Sequence, residues 1–154
     1  MEICEHTLEG ECTHKLDPKC RVSVPSEWRD SLRVGKLRLL QSTSYELPVL
    51  RVITQEEYTD MITTVDGMDH WTPAQKKRMK NKLHSRCQAT AMSEQGKLSI
   101  PKAWCEKPEI EAGGQVKLVG RGTFIEIINL ENYTEMLKRE DSQTDELNKE
   151  VEFF

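Results

Sequence analysis

Two stretches of the chain decide its fold: Leu16 to Trp28, which is LDPKCRVSVPSEW, and Met92 to Trp104, which is MSEQGKLSIPKAW. At an offset of 76 residues they share three identical pairs and four conservative ones. These pairs are Ser23/Ser99, Pro25/Pro101 and Trp28/Trp104, and Leu16/Met92, Arg21/Lys97, Val22/Leu98 and Val24/Ile100. Similarity at a fixed offset indicates a repeated structural unit. The two stretches therefore predict a tandem duplication.

A second matched block supports the same interpretation. Val52 to Tyr58 (VITQEEY) matches Ile127 to Tyr133 (IINLENY) at an offset of 75, with isoleucine, glutamate and tyrosine identical. The matched blocks occur in the same order in both halves of the chain. We therefore predict two units, residues 8–65 and 86–139, joined by a linker, residues 66–85, and followed by a tail, residues 140–154.

Each unit has the same predicted order of elements. A turn precedes a short strand in which apolar and polar residues alternate, as in Arg21 to Val24, so that one face is apolar. A proline ends that strand because it has no N–H to donate. The predicted strands are 21–24, 36–40, 48–53, 97–100, 115–119 and 123–128, and the predicted helices are 26–33, 56–64, 102–107 and 130–139. The pattern predicts an α+β fold, with the repeated tryptophans and tyrosines in the core.

The linker contains a further helix with an unusual charge. Thr72, Pro73 and Gln75 form a capping box, with threonine as N-cap and proline at the first helical position. Six cations follow: Lys76, Lys77, Arg78, Lys80, Lys82 and Arg86. Residues 76–92 contain no aspartate or glutamate. This basic helix is a candidate for phosphate contact, for contact between subunits, or for a solvated face.

The net charge of −4 is unevenly distributed. Residues 140–154 hold six acidic residues against one lysine, whereas the rest of the chain is slightly positive. An acidic segment with few apolar residues is typical of disorder, so we expect a disordered acidic tail. Mean hydropathy is −0.65 and no long apolar run occurs, which argues against a membrane partner. The first residues lack a signal-peptide pattern, and we expect a cytoplasmic protein.

The quoted residues resemble the MraZ family of bacterial transcription regulators. The family pattern is Gly-x-x-x-His-x-Leu-Asp-x-Lys-Gly-Arg-apolar-x-apolar-Pro. The matching positions are Gly10, His14, Leu16, Asp17, Lys19, Arg21, Val22, Val24 and Pro25, with Cys20 in the place of the glycine. Residues 95–101 resemble the second copy of this motif, and Lys77, Arg78 and Met79 resemble the Arg-Arg-Phe segment of the family. The resemblance covers about residues 8–139.

The resemblance implies a fold and a function. The fold is a duplicated AbrB-like (SpoVT-AbrB) swapped-hairpin fold, in which two tandem β-rich units form a pseudo-twofold small barrel with short flanking helices. The function is that of a sequence-specific regulator of the division and cell wall operon type, associated with the nucleoid. Its implied partners are double-stranded DNA, bound at direct repeats, and further copies of the chain in a cyclic homo-oligomer. It implies no cofactor and no small-molecule substrate.

The turn before the first short strand is the leading candidate site. A two-stranded ribbon fits the major groove, and an arginine can contact a guanine edge or a phosphate. We expect Arg21 to make the main DNA contact, with Lys19 and Lys97 in support and Lys77 and Arg78 as further candidates. Asp17 can either orient the guanidinium of Arg21 or cap the turn. A purely structural Asp17–Arg21 pair is the alternative.

The second motif departs from the family pattern. Ser93 stands in the place of the aspartate and Lys97 in the place of the arginine. Lysine neutralises a phosphate but lacks the planar fork that reads guanine. We therefore expect the first motif to be the better DNA contact, and a partner-binding module that has lost specific DNA binding remains an alternative.

Two other classes of protein are weaker alternatives. A zinc-binding protein is the first, because five thiols and imidazoles lie within seventeen residues: Cys4, His6, Cys12, His14 and Cys20. Their spacing matches no common zinc module. An enzyme is the second, and we expect none, because no nucleophile triad, phosphate-binding loop or paired carboxylates stand out.

Overall fold

The chain has an α+β fold in a computed structural model that describes residues 7–32 and 36–154. Its first six elements are β1 (Glu11–Lys15), β2 (Arg21–Ser23), α1 (Ser26–Leu32), β3 (Leu37–Ser44), β4 (Leu47–Thr54) and α2 (Gln55–Asp66). The remaining elements are α3 (Pro73–Ser85), β5 (Cys87–Thr90), β6 (Lys97–Ser99), a 3₁₀ turn (Lys102–Cys105), β7 (Gln115–Gly120), β8 (Ile125–Asn129) and α4 (Leu130–Val151). The predicted fold class, α+β, is confirmed.

The strands of the described residues form two antiparallel sheets. Six strands lie in the order β1-β7-β8-β4-β3-β5, and β2 pairs with β6 in a separate two-stranded ribbon. The hairpins β3–β4 and β7–β8 join through β4 and β8. The short strands β1 and β5 lie at opposite ends of the large sheet and each has one neighbour. The prediction of a small barrel is therefore wrong, because in the described residues these two ends of the sheet do not pair.

The pairing crosses between the two halves of the chain. β1 pairs with β7, and β5 pairs with β3, so each strand that opens a half lies against the hairpin of the other half. In the ribbon Val22 faces Leu98, which are 76 residues apart. In the large sheet Arg51 faces Glu126, which are 75 residues apart. These separations equal the two offsets of the internal similarity.

The core lies between the ribbon and the large sheet. Val22 and Leu98 are fully buried, as are Leu118 and Ile127 from the central hairpin. Trp28 is buried as well, and its indole Nε1 donates to the carbonyl of Glu9 at 2.9 Å. The second repeated tryptophan, Trp104, packs partly buried against the same cluster. Trp28 thus occupies the predicted core position, and Trp104 packs at the edge of the same core.

The basic helix begins where the sequence predicts. The Oγ1 of Thr72 accepts from the backbone N–H of Gln75 at 3.1 Å, and the Oε1 of Gln75 accepts from the backbone N–H of Thr72 at 2.8 Å. This reciprocal pair satisfies N–H groups that a helix start leaves free. The helix, α3, packs against α2 and β5, with Leu83 against the small cluster around Tyr58.

The acidic tail is helical, so the prediction of disorder is wrong for this segment. Helix α4 continues without a break from Leu130 to Val151. Its first turns are anchored on the sheet by the buried Met136, and Arg121 forms an ion pair with Glu140 at 3.0 Å. A helix that is already nucleated adds further residues at little cost, and charge content alone does not prevent this.

Smaller differences concern other elements. The helix predicted over 102–107 is a single 3₁₀ turn, and the last residue of the helix predicted over 26–33 lies outside the described residues. Strands β1 and β5 were not predicted. Both are short and are buried on neither face, so they lack the apolar alternation that identifies a strand. Within residues 7–32 and 36–154, the helices are too short or too polar to cross a membrane.

Candidate nucleic-acid interface

The first candidate turn is organised by Asp17. Its Oδ1 accepts from the backbone N–H groups of Lys19 and Arg21, both at 2.9 Å. The backbone N–H of Cys20 donates to the carbonyl of Asp17, which closes the turn. These hydrogen bonds and the charge of Arg21 lower the pKa of Asp17, although desolvation acts in the opposite direction. The carboxylate is therefore ionised at neutral pH.

Asp17 also orients Arg21. The Nε of Arg21 donates to the Oδ2 of Asp17 at 2.8 Å, and the arginine side chain is 39% exposed. Among the described residues, neither terminal guanidinium nitrogen of Arg21 has a hydrogen-bond acceptor. The Nε of the guanidinium is thus held by the turn, while its two outer nitrogens are left without a hydrogen-bond partner among the described residues. Both roles predicted as alternatives for Asp17, capping the turn and orienting the arginine, are realised together.

The ribbon presents Arg21 and Lys97 on the same face. Arg21 lies opposite Ser99, and Ser23 lies opposite Lys97. Residues two apart on a strand share a face, and a diagonal pair such as Arg21 and Lys97 is about 7–8 Å apart. The other face carries Val22 and is buried. The outward face therefore holds two cations and two hydroxyls, with Lys19 exposed on the adjoining turn.

The second turn, from Ser93 to Lys97, repeats the backbone geometry of the first but lacks its ion pair. The Oγ of Ser93 accepts from the backbone N–H of Lys97 at 3.0 Å, and the N–H of Gly96 donates to the carbonyl of Ser93 at 2.9 Å. Ser93 thus replaces Asp17 as the acceptor that closes the turn. A hydroxyl has no charge with which to hold Lys97, so the lysine is left without the orienting ion pair that Arg21 has.

Two residues outside the predicted site, Arg29 and Cys105, support the two turns. Cys20 and Gly96, at matched positions, have φ values of +58° and +79°. The side chain of Arg29 packs on Gly96, and a Cβ placed there would be 2.2 Å from its Nε. The residue 76 positions after Arg29 is Cys105, whose Sγ donates to the carbonyl of Pro101 and which is buried with Cys20 in the same cluster. Burial, with the charge of Cys20, raises the pKa of Cys105 to about 11. The smaller Cys105 leaves room for the side chain of Cys20.

Substitution of Gly96 by alanine is expected to destabilise the fold by about 2–3 kcal/mol. Left-handed backbone costs a non-glycine residue roughly 1–2 kcal/mol. The new Cβ would also displace Arg29, whose Nε donates to the carbonyl of Val24, and such a bond contributes about 1 kcal/mol. Urea unfolding monitored by circular dichroism measures the change.

Gly122→Ala is the matched control for this substitution. Gly122 has a φ of +87° and nothing within 4 Å of a new Cβ. Gly122→Ala should therefore lose only the free energy of the backbone strain, and its loss of stability should be about 1 kcal/mol smaller than that of Gly96→Ala. Equal losses for the two variants would contradict a supporting role for Arg29.

Lys77 and Arg78 form a separate group. They lie on α3, whose main packing partners are α2 and β5 and not the ribbon. Both side chains are exposed, and neither has an ion-pair partner among the described residues. The structure thus brings four predicted residues, Asp17, Lys19, Arg21 and Lys97, to the ribbon and its turns, while the other two lie on a different surface.

The cysteines do not form a metal site in the part of the chain that is described. Cys4 and His6 lie outside the described residues. Within residues 7–32 and 36–154, no three histidine, cysteine or acidic side chains are grouped so as to hold a metal ion. Cys20 is buried against Cys105, which the zinc hypothesis did not include.

Comparison with known proteins assigns no family to the chain. No protein-family model matches it, and no curated protein matches it in sequence. Its function therefore has to be argued from its own residues.

Proposed function

We propose that this chain is a DNA-binding transcription regulator of the MraZ type, built from two AbrB-like units. The observation that carries the proposal is the pose of Arg21. Its Nε is held by Asp17, its outer nitrogens have no acceptor among the described residues, and Arg21 lies on the same face of the ribbon as Lys97. A guanidinium fixed along one edge can place its other two donors on a guanine edge or a phosphate with little further loss of side-chain entropy.

The proposed duplication is supported by the strand pairing. A pseudo-twofold axis that relates two equal units must pass between matched positions. Val22 facing Leu98, and Arg51 facing Glu126, satisfy this condition in two separate sheets. The crossed pairing of β1 with β7 and of β5 with β3 fits the exchange of strands between units that the resemblance implies.

Self-assembly is part of the same proposal. One ribbon offers three cations to DNA, Lys19, Arg21 and Lys97, and this is few for a stable complex. A cyclic homo-oligomer bound to direct repeats would multiply the contact, because each further ribbon binds at a high effective concentration. The proposed partners are therefore double-stranded DNA and further copies of the chain, and the proposed site of action is the nucleoid in the cytoplasm.

A salt-dependent titration tests the proposal. The DNA is the region upstream of the protein's own gene, and a scrambled duplex of equal composition is the control. The logarithm of the DNA association constant falls linearly with the logarithm of the salt concentration, with a slope of about −0.9 for each phosphate neutralised. Three contacts from one ribbon therefore give a slope of about −2.7. We expect a steeper slope than this and tighter binding to the native sequence.

The possible outcomes are distinguishable. A steep slope that persists in the variant Lys77→Gln, which keeps Arg78, assigns the extra contacts to further ribbons, while a slope reduced by about 0.9 for each copy engaged assigns one contact per copy to α3. Equal affinity for the native and scrambled duplexes would contradict sequence-specific regulation. The absence of binding at low salt would favour the alternative, a partner-binding module of the same fold.

A further inference from the structure

A groove with apolar walls lies on the α2–α3 side of the molecule. A cavity of about 350 Å³ is lined there by Met61, Val65, Met79 and Leu83, together with the cations Lys82 and Arg86. Met79 and Lys82 also line a neighbouring hollow of about 430 Å³, which includes Trp71 and Arg78. The two hollows thus form one continuous surface, called here the α2–α3 groove. Met79 is 47% exposed, which leaves an apolar side chain open at its centre.

The groove carries an uncompensated positive charge. Lys80 of the same helix is paired with Asp66 at 2.7 Å and does not line the groove. Arg78, Lys82 and Arg86 do line it, and none of them has an ion-pair partner among the described residues. An apolar surface edged by unpaired cations is suited to an acidic, amphipathic segment.

The chain itself carries a segment of that kind, residues 141–154, called here the acidic arm. It has five acidic residues against one lysine. Leu147 and Val151 are one helical turn apart and are 61% and 53% exposed, and Phe153 and Phe154 are 77% and 99% exposed. The side chain of Asn148 accepts from the backbone N–H groups of both phenylalanines, which holds the end of the chain against the helix. The arm therefore presents a compact apolar end on an acidic helix.

The arm does not reach the groove of its own chain. In the described residues, the last polar contacts of α4 with the sheet are those of Arg139 and Glu140 with Tyr45 and Arg121. From Asp141 onward, the hydrogen bonds and ion pairs of the arm stay within α4 and the terminal residues. At 1.5 Å per residue, the helix extends roughly 16 Å beyond Glu140.

We propose that the acidic arm of one copy of this chain docks into the α2–α3 groove of a second copy. Leu147, Val151 and the terminal phenylalanines cover Met79 and the apolar walls, while the acidic residues of the arm lie beside Arg78, Lys82 and Arg86. The arm and the groove are different surfaces, so the contact is head-to-tail and propagates into a ring or an open chain of subunits. This contact deepens the proposed self-assembly by naming its surfaces, and it requires no DNA binding.

Molar mass in solution tests the proposal, measured by light scattering on the purified full chain. We expect an oligomer whose mass falls to that of a monomer when residues 142–154 are removed, a deletion that retains the Glu140 contacts. The groove variant Arg78→Glu/Lys82→Glu should also be monomeric. Lys15→Glu/Lys102→Glu changes the net charge equally with two exposed lysines outside the groove, and it should assemble as the unmodified chain does.

Mixing the two defective proteins provides the decisive test. The groove variant retains its arm, and the truncated chain retains its groove, so a mixture should form one-to-one pairs that grow no further. A monomeric full chain, as expected if the arm folded onto its own groove, would overturn the proposal. Failure of the mixture to pair would also overturn it. An oligomer with unchanged mass after truncation would reject the docking while leaving self-assembly through other surfaces intact.

Discussion

Replacement of Arg21 by alanine is expected to weaken specific DNA binding by about 1–3 kcal/mol for each copy engaged, or roughly fivefold to 150-fold per copy. Arg21 supplies the two outward guanidinium nitrogens of the ribbon, and among the described residues no other arginine lies on that face. In an oligomer that binds several repeats, the loss accumulates over the copies. Fluorescence anisotropy with the native upstream duplex measures it.

Two further variants separate base reading from phosphate contact. Arg21→Lys keeps the charge but lacks the planar fork. If Arg21 reads guanine, the lysine variant should bind almost as weakly as alanine, and its remaining affinity should be equal for native and scrambled duplexes. If Arg21 contacts a phosphate, lysine should restore most of the affinity. Asp17→Asn removes the charge that orients Arg21 and should cause an intermediate loss.

Two controls test whether Arg21→Ala loses DNA binding only because the protein is destabilised. The Asp17–Arg21 pair is partly exposed, and such pairs add at most about 1 kcal/mol to stability. Thermal melting of Arg21→Ala should therefore differ little from that of the unmodified chain. Lys138→Ala removes an exposed positive charge on α4, whose main packing partners are β7 and β8 and not the ribbon, and it should leave specific binding unchanged. Unchanged affinity in Arg21→Ala would refute the assignment of this turn as the DNA contact.

Replacement of Arg121 by alanine is expected to cause the largest loss of stability, about 3–5 kcal/mol. Glu126 lies in strand β8 and is only 1% exposed, and its carboxylate accepts from the Nε of Arg121 at 2.9 Å and from the Nε of Arg51 at 3.2 Å. Arg121 also pairs with Glu140 of α4 at 3.0 Å. The charges of both carboxylates raise the pKa of Arg121 despite its burial. Removal of the arginine leaves a buried carboxylate with one partner.

Chemical unfolding and thermal melting measure this loss. For a chain of this size, 1 kcal/mol corresponds to about 2–4 °C in Tm, so we expect a fall of roughly 6–20 °C. Lys149→Ala is the control for loss of an ion pair, because Lys149 and Glu146 are 70% and 84% exposed, and it should leave Tm unchanged.

A double variant identifies the cause. Arg121→Met/Glu126→Leu removes the buried charge together with its partner, and apolar replacements of a buried pair are often neutral. The double variant should therefore recover most of the stability that Arg121→Ala loses. Arg51 would still donate to the carbonyl of Thr43 and lie over the ring of Phe124. If the double variant is as unstable as Arg121→Ala, the loss comes from packing at Arg121 and not from a buried carboxylate that has lost one of its two partners.

Local patterns account for the parts of the fold that the sequence predicts well. Alternation in Arg21 to Val24 places Val22 in the core, and Pro25 ends the strand. The Thr72–Gln75 capping box locates the start of α3 at the correct residue. Each of these signals depends on a few neighbouring residues, whose side chains and backbone act on each other in any fold that the chain adopts.

The candidate site could be predicted only in part. Asp17 and Arg21 are close in sequence, so their pairing follows from a single turn. Their relation to Lys97 depends on the pairing of β2 with β6, which no local pattern specifies. The support of the turns by Arg29 and Cys105 was missed, although the 76-residue offset could have shown that these two residues occupy matched positions.

The sequence by itself determined the α+β class, the positions of most elements, the two offsets of its internal similarity and the turn that holds Arg21. Only the tertiary structure decided that the sheet stays open, that Glu126 is buried between two arginines and that the acidic arm is helical. The physical reason is the range of the interactions. Side-chain alternation and capping act between neighbours, whereas strand order, the burial of a charge and the anchoring of α4 on the sheet depend on residues that only folding brings together.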